Sequence, residues 1–406
     1  MRHLVITATV PTDAVTHGFL PAAERLGLRV TLLTNHPTEH AYPHLRRAPR
    51  VVPCDVTDAR AVIDAVSRLG PPDAIFSNSD HLQVQTALAA AYFDLPAKDW
   101  RAAHRAKNKA EMRAHLARAG LDLTWHAVLR ADTDAERVQP PYPCVLKPCE
   151  GVASEHVTLV RNHVELRTHA RGIWRTRPHA PLLLEAFLDG PLHTLETLGD
   201  ASHVQVLGGF STQLGPAPHF AETRLDWAPP THDVQERVLA QLHALGVGFG
   251  ACHTEFVLTP AGPRLVEVNY RNIGDQCDLL LQDLLNVPLF ELVLRAHLGE
   301  TLPLVPPAPG DATVRYFMAR DVMREGKHGV ITRAPHDRDD ERGGVRLRYR
   351  SLRVSGDAVH VTGTNRDYLG VLRAVAAPGA PLHDVTDAFG AELAWEVSAC
   401  EPAARS

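Results

Sequence analysis

The sequence predicts a multidomain chain of the α/β and α+β classes that opens with a Rossmann-like parallel sheet. Three observations carry this reading. At 406 residues the chain is too long for one ordinary core. Roughly the first hundred residues alternate short apolar strand patterns with helical ones, the signature of a parallel sheet with crossover helices. That alternation stops near Lys107, and a proline-rich stretch, Leu302-Pro303-Leu304-Val305-Pro306-Pro307-Ala308-Pro309-Gly310, sets off a final segment of different character.

Taken in order, residues 3–9 read as a strand, 13–26 as a helix and 28–34 as the next strand. Further strands at 51–54 and 74–77, separated by helices at 58–69 and 81–93, complete a doubly wound unit. Its first strand ends in Thr7-Ala8-Thr9-Val10-Pro11, which lacks the glycine turn of a dinucleotide site, so the unit is Rossmann-like without that cofactor. An amphipathic helix is expected over 108–119, stopped by Gly120, then strands over 144–147 and 157–160. A helix over 289–298 leads into the proline-rich linker. Beyond it, β-like segments alternate with glycine and charged turns, including Arg338-Asp339-Asp340-Glu341-Arg342, read as a solvated loop.

Hydrophobic residues make up 45% of the chain and charged residues 22%, which suits a globular protein with a sizeable core. The formal net charge of -5 provides no broad basic field for a phosphate backbone, so nucleic acid is not an expected partner. Met1-Arg2-His3-Leu4-Val5-Ile6 runs straight into a strand, and no window approaches the roughly 20 apolar residues of a membrane span. A cytoplasmic protein with no membrane partner is expected. Cys54, Cys144, Cys149, Cys252, Cys277 and Cys400 form no CxxC pair and read as reduced, mostly buried thiols. The 24 histidines are scattered, show no HExxH spacing and read mostly as surface residues.

The chemistry concentrates in Cys252-His253-Thr254-Glu255-Phe256-Val257-Leu258 and Arg264-Leu265-Val266-Glu267-Val268-Asn269, two strand patterns around a short Pro/Gly turn. With the turn centred on Ala261, Glu255 lies across from Glu267 and His253 across from Asn269, all on one face. Opposed carboxylates repel, so something positive belongs between them. Two carboxylates and the Asn269 amide oxygen form an oxygen-only set suited to Mg²⁺ that takes its other ligands from water and nucleotide phosphates. An arginine paired with one glutamate, or a register slipped by one residue, are the alternatives. Arg271 ends the same face, where its guanidinium can grip a phosphoryl or carboxylate oxygen bidentately. Pro143-Cys144-Val145-Leu146-Lys147-Pro148 is a short strand with Lys147 on the face opposite Cys144 and Leu146, followed by the small-residue loop Glu150-Gly151-Val152-Ala153-Ser154. A lysine there can neutralise phosphate while loop amides bind its oxygens; a surface lysine before a turn is the alternative.

Together these motifs resemble the ATP-grasp superfamily of ligases, over roughly residues 107–298. The resemblance implies an ATP-grasp fold, divided into a Rossmann-like domain (1–104), a lid subdomain (105–190), a catalytic core with the metal site (191–305) and a small C-terminal α+β domain (306–406). Asn108-Lys109-Ala110-Glu111-Met112-Arg113 resembles the helix that carries the first nucleotide lysine, Lys109. Pro143 to Pro148 and the following loop resemble the second lysine, Lys147, and the phosphate-covering loop, with Gly151 and Ser154 at ATP. Leu182-Leu183-Leu184-Glu185-Ala186-Phe187-Leu188-Asp189-Gly190 resembles the adenine hinge, where Glu185 and the backbone of Ala186, Phe187 and Leu188 read the polar edge of the base. His253-Thr254-Glu255 and Val266-Glu267-Val268-Asn269-Tyr270-Arg271 resemble the metal-binding strands, so Glu255, Glu267 and Asn269 are the implied metal ligands and Arg271 the implied catalytic residue. The covering loop is poor in glycine for the family, Leu192 stands where an acidic residue is common, and Tyr270 replaces the more usual proline. Glu196, Glu222, Arg224 and Tyr270 are the implied substrate contacts, Glu222 toward an ammonium and Arg224 toward a carboxylate.

By this resemblance the chain is an ADP-forming carboxylate–amine ligase that uses ATP and Mg²⁺, or Mn²⁺ in its place, to make an amide through an acyl phosphate. An amino-acid ligase or a tailoring enzyme for a peptide-like metabolite, such as a siderophore precursor, falls in this class. A carboxyphosphate-using carboxylase and a non-catalytic ATP-binding regulator are the alternatives. Retention of both carboxylates together with Lys109, Lys147, Asn269 and Arg271 argues against the regulator. The implied partners are small-molecule acids and amines; such ligases commonly form homodimers, and no self-complementary apolar stretch here compels one.

Overall fold

The computed structural model describes residues 1–323 and 328–399. Cys400 lies outside them; Cys144, Cys149, Cys252 and Cys277 are buried, Cys54 is half-buried, and none of these five is in a disulfide among the described residues. The chain forms two compact units that cross the sequential boundaries: Met1–Leu123, His193–Gly209 and Pro229–Pro307 make the first, and Thr124–Leu192, Phe210–Ala228 and Ala308–Ser406 the second. The Lys109 helix thus belongs to the first unit, while residues 124–192 share a unit with the C-terminal segment.

The first unit opens with a parallel sheet in the order Arg50–Pro53, Arg29–Thr34, His3–Thr7, Ala74–Phe76. Its central strand is buried along its whole length, as a sheet covered on both faces requires. The chain steps outward from that strand twice, then returns to its other side. A topological switch point therefore lies beyond the carboxyl ends of His3–Thr7 and Ala74–Phe76, the place where open α/β sheets leave a crevice. The expected helix near 81–93 is Gln83–Tyr92, entered through the short turn Asp80–Leu82. Next come two helices that the carboxylate of Asp99 and the amide of Asn108 cap: Trp100–Lys107 and Lys109–Arg118.

The rest of the unit is antiparallel: Gly262–Asn269, Gly250–Thr259 and Leu192–Gly199 pair in that order, with Val204–Gly208 along the last. The helix His232–Leu245 covers them and ends at Gly246, whose positive φ of 79° closes the last turn in the left-handed region. Met112, Leu116, Leu242, Leu245, Phe256, Val268 and Tyr270 form one buried cluster between the helices and the hairpin. It fixes where the hairpin's opposite, polar face points.

The second unit holds a four-stranded antiparallel sheet in the order His126–Leu129, Leu182–Ala186, Cys144–Pro148, Thr158–Val160, backed by the helix His163–Thr176. A second sheet runs Phe210–Leu214, Glu222–Trp227, Asp311–Met318, Tyr368–Ala376, Val345–Ser351, Arg338–Arg342. The helix Leu382–Ala391 covers part of it. Here the sequence reading needs correction: residues 338–342 are a paired edge strand, not a loop. Alternating charges mask it because an edge strand resists further pairing by carrying them. Arg338 and Arg342 also bond the Glu392 carboxylate at 2.8 and 2.5 Å and lie over the Phe389 ring.

Candidate active site

The hairpin Gly250–Thr259 and Gly262–Asn269 turns through only Pro260 and Ala261, because Thr259 pairs with Gly262. Counting back from that turn would set Glu255 against Val266. A β-bulge intervenes: Phe256 pairs with Leu265 and Glu255 with Glu267, so Val266 is the extra residue. Beyond the bulge His253 faces Asn269. The pairing expected from a turn centred on Ala261 therefore occurs, but through a shorter turn plus one inserted residue.

Glu255 and Glu267 are 18% and 20% exposed, and each has a cation of the protein beside it. Lys109, presented by the first turn of its helix, donates to Glu267 Oε1 at 2.8 Å. Burial works against its charge, but Glu267, Asp80 and Glu255 outweigh burial and raise its pKa above the ordinary lysine value. His253 donates through Nδ1 to Glu196 Oε1 at 2.8 Å and lies 3.4 Å through Nε2 from Glu255 Oε1. Burial opposes its charge too, yet the two carboxylates raise its pKa to about 10, so it is an imidazolium at neutral pH. Burial likewise pushes the Glu255 carboxyl up, and His253, Lys109 and Arg271 together hold it below its ordinary value.

Asn269 donates to Glu255 Oε1 at 3.3 Å, and its Oδ1 lies 3.5 Å from an Arg271 guanidinium nitrogen. Another guanidinium nitrogen of Arg271 donates to the Asn272 carbonyl at 2.6 Å. Asp80, a group the sequence did not single out, is buried in an ion pair with Lys107; burial opposes its charge, but Lys107 and Arg271 hold its carboxyl below the ordinary range. Glu196 is buried against His253, and Tyr270 lies in the core with its hydroxyl accepting from the Gly248 and Phe249 amides at 3.1 and 3.0 Å.

The oxygen donors suit a hard divalent cation: two carboxylates on one face and an amide oxygen two residues along the strand. Among the described residues no group of three or more His, Cys, Asp or Glu is arranged to hold a metal alone. An ion here would need further oxygens from its ligand, which is how Mg²⁺ sits with nucleotide phosphates.

In the second unit, Lys147 is buried and bonds Glu185 Oε1 at 2.6 Å, with 4% and 5% of the two side chains exposed. Their strands pair with Val145 opposite Glu185 and Lys147 opposite Leu183, so both side chains share a face. In the hinge that follows, the Ala186 and Phe187 amides already donate to the Trp125 and Pro143 carbonyls, at 2.9 and 3.1 Å. The loop after Lys147 keeps Gly151 but places Ala153, Ser154 and His156 at φ of 56°, 56° and 59°. These left-handed conformations, which glycine normally supplies, are held by contacts: Ser154 Oγ donates to the Phe220 carbonyl at 3.1 Å, and the Ala153 carbonyl accepts from the Asn365 amide at 3.2 Å. Glu222 and Arg224 sit on the strand Glu222–Trp227; Asn365 bonds the first and Asp226 the second.

Comparison with known proteins is decisive for the fold. Residues 20–97 match the ATP-grasp N-terminal domain. The crystal structure of L-amino acid ligase from Bacillus licheniformis superposes with a TM-score of 0.76, covering 99% of both chains at 22% identity. The chain has the ATP-grasp fold.

Among curated relatives of this chain, the uncharacterized protein y4rH of Sinorhizobium fredii is 31% identical over 317 residues, covering 74% of this chain and 65% of that protein. Carnosine synthase 1 of Gallus gallus is 28% identical over 348 residues, covering 77% of this chain but 36% of its own length. The chain thus spans less than two thirds of either relative. No helix among the described residues is long and apolar enough to cross a membrane.

Within this ATP-grasp fold, the first unit brings Lys109, Glu255, Glu267, Asn269 and Arg271 onto one polar surface, and the second brings Lys147 and Glu185 together. The sequence reading missed His253 as a cation, although its position two residues before Glu255 puts both on one face. It also missed Lys98, which no local pattern marks.

Proposed function

We propose that this ATP-grasp chain is an ATP-dependent carboxylate–amine ligase that forms an amide and releases ADP and phosphate. The observation that carries the proposal is the bulged pairing of Glu255 with Glu267, with Lys109 and Arg271 beside them. The names of the L-amino acid ligase and carnosine synthase relatives support the same class of chemistry.

Mg²⁺, or Mn²⁺ in its place, offsets the charge of the β- and γ-phosphates when bound, and Glu255, Glu267 and Asn269 are the residues that would hold it. Lys109 neutralises phosphate oxygens in the first unit, and Lys147 does so in the second, with Gly151 and Ser154 of the covering loop at the phosphates. Because the Ala186 and Phe187 amides are already engaged, the adenine edge is read by the Leu188 backbone and the hinge carbonyls. A substrate carboxylate oxygen attacks the γ-phosphorus, and the bond to the departing ADP oxygen breaks. The amine then attacks the acyl carbon, the bond from that carbon to the bridging oxygen breaks, and phosphate leaves with that oxygen and takes up the proton the amine releases. Arg271 binds the acyl phosphate and the tetrahedral species that follows it. Glu196 acts through His253, which it holds charged against Glu255. Glu222 and Arg224 receive the ammonium and carboxylate of the substrate by exchanging their present partners, and Tyr270 shapes the site from within the core.

The test is ADP release with Mg²⁺ and ATP over a matrix of acids and amines, run beside Glu267→Ala. Turnover that needs both an acid and an amine and disappears in the variant is the expected result. ATP binding without turnover for any pair would overturn the ligase reading, and turnover with bicarbonate alone would replace it with the carboxylase.

A further inference from the structure

Lys98 is a buried lysine that forms no ion pair among the described residues. Its ammonium donates to Gln83 Oε1 at 2.7 Å and to the Tyr270 carbonyl oxygen at 2.5 Å, and lies 4.6 Å from the centre of the Tyr270 ring. Asp80, Cys252, Arg271 and His297 are the titratable groups that face it. Burial lowers its pKa to about 7. Packing around it is close: a Cβ on Gly250 would come within 3.0 Å of Lys98 Cε.

The other end of this contact is anchored as well. Gln83 Nε2 donates to the carbonyls of Ser77 and Ser79 at 3.0 and 2.8 Å, which turns the Gln83 oxygen toward Lys98. Asn78, between those serines, accepts from the Asn272 amide at 3.3 Å. The loop after the strand Ala74–Phe76 therefore holds the chain on both sides of Arg271, at the Tyr270 carbonyl through Gln83 and Lys98 and at the Asn272 amide through Asn78. Residue 270 is gripped at its carbonyl, its ring and its hydroxyl at once.

We propose that Lys98 is a positioning residue for Arg271: it fixes the Tyr270–Arg271 peptide, and with it the origin of the guanidinium, at the crevice of the parallel sheet. The inference rests on the ligase reading, in which Arg271 touches the acyl phosphate. Stability alone does not account for a lysine here. A buried lysine head hydrogen-bonded only to neutral acceptors loses its hydration without an ion pair to offset the loss, so an apolar side chain of similar volume would serve packing better. What the lysine adds is a directed donor on one carbonyl, and a small displacement of a catalytic group is expensive in rate.

The experiment compares the full-length wild type with Lys98→Met by three measurements: the thermal midpoint, kcat and KM in ADP release, and the ¹⁵N resonance of the Arg271 side chain, assigned with Arg271→Lys and requiring no turnover. The expected result is a midpoint equal to or above wild type, a kcat lower by about ten- to hundredfold, an unchanged KM for ATP, and a shifted or broadened Arg271 resonance. An unchanged resonance, or a kcat within about twofold of wild type, would overturn the proposal. So would a fall in midpoint that accounts for the lost activity, since that marks a merely structural role. If the wild type releases no ADP with any pair while Lys98→Met still moves the resonance, the ligase reading fails and the positioning role stands.

Discussion

Lys109 Nζ lies 2.8 Å from Glu267 Oε1, so the cation expected to meet a nucleotide phosphate already neutralises one of two facing carboxylates. Lys109→Met leaves Glu267 opposite Glu255 with that charge uncompensated. The pair is neither fully exposed nor fully buried, so the expected loss is about 2 kcal/mol of unfolding free energy, between the surface and buried limits. Millimolar Mg²⁺ should restore more stability to this variant than it adds to the wild type. Urea denaturation with and without the ion checks both statements.

Lys147 and Glu185 form a more deeply buried pair, and removing one partner strands the other. Lys147→Met is expected to cost about 3–5 kcal/mol, while Lys147→Met combined with Glu185→Leu recovers most of that loss without recovering nucleotide binding. A double-mutant cycle in denaturant, beside a nucleotide-binding assay of the double variant, separates the stability role from binding.

His253 contributes a pH dependence whose sign follows from its raised pKa. The folded state holds the proton up to about 10, and the unfolded imidazole releases it near 6.5. Its stabilisation is therefore complete below about pH 6.5 and is lost as pH rises through about 10. Lys98 acts in the opposite sense, because the folded state loses its proton near 7 and the unfolded chain keeps it to about 10.4, so its contribution rises with pH across that window. The two slopes offset each other in the wild type. His253→Asn should leave stability rising from neutral to alkaline pH, and Lys98→Met should leave it falling, as read by unfolding at a series of pH values.

The covering loop stores backbone strain at Ala153 and Ser154. Glycine at either position removes an unfavourable left-handed conformation and adds freedom to the unfolded chain, a net gain of about 0.5–1 kcal/mol. Ala153→Gly and Ser154→Gly should therefore raise the denaturation midpoint slightly. A fall in midpoint at both positions would show that the methyl and hydroxymethyl groups contribute more than the strain costs.

Legibility in the sequence followed the range of the interactions. The parallel sheet and its helices could be read to within a residue or two, because each element carries its own periodicity. The facing of Glu255 and Glu267 could be read because a hairpin joins neighbours in sequence, whereas Lys109 was singled out only by the family resemblance of its motif, and nothing local placed it beside Glu267. His253 could not be recognised as a cation, since Glu196, which fixes its charge, lies 57 residues away on another strand. Lys98 meets Tyr270 across 172 residues, and nothing local distinguishes it from a surface lysine. Arg338–Arg342 was misread because the charges that protect an edge strand are the same ones that mark a loop.

The inserted Val266 is a parity correction in this hairpin. A two-residue turn alone would set Glu255 against Val266 and send Glu267 to the other face; the bulge takes up that one-residue offset, so the positions beyond it keep their sides. A hairpin without Val266 would still set the two carboxylates across from each other, in an unbulged ladder with less local twist.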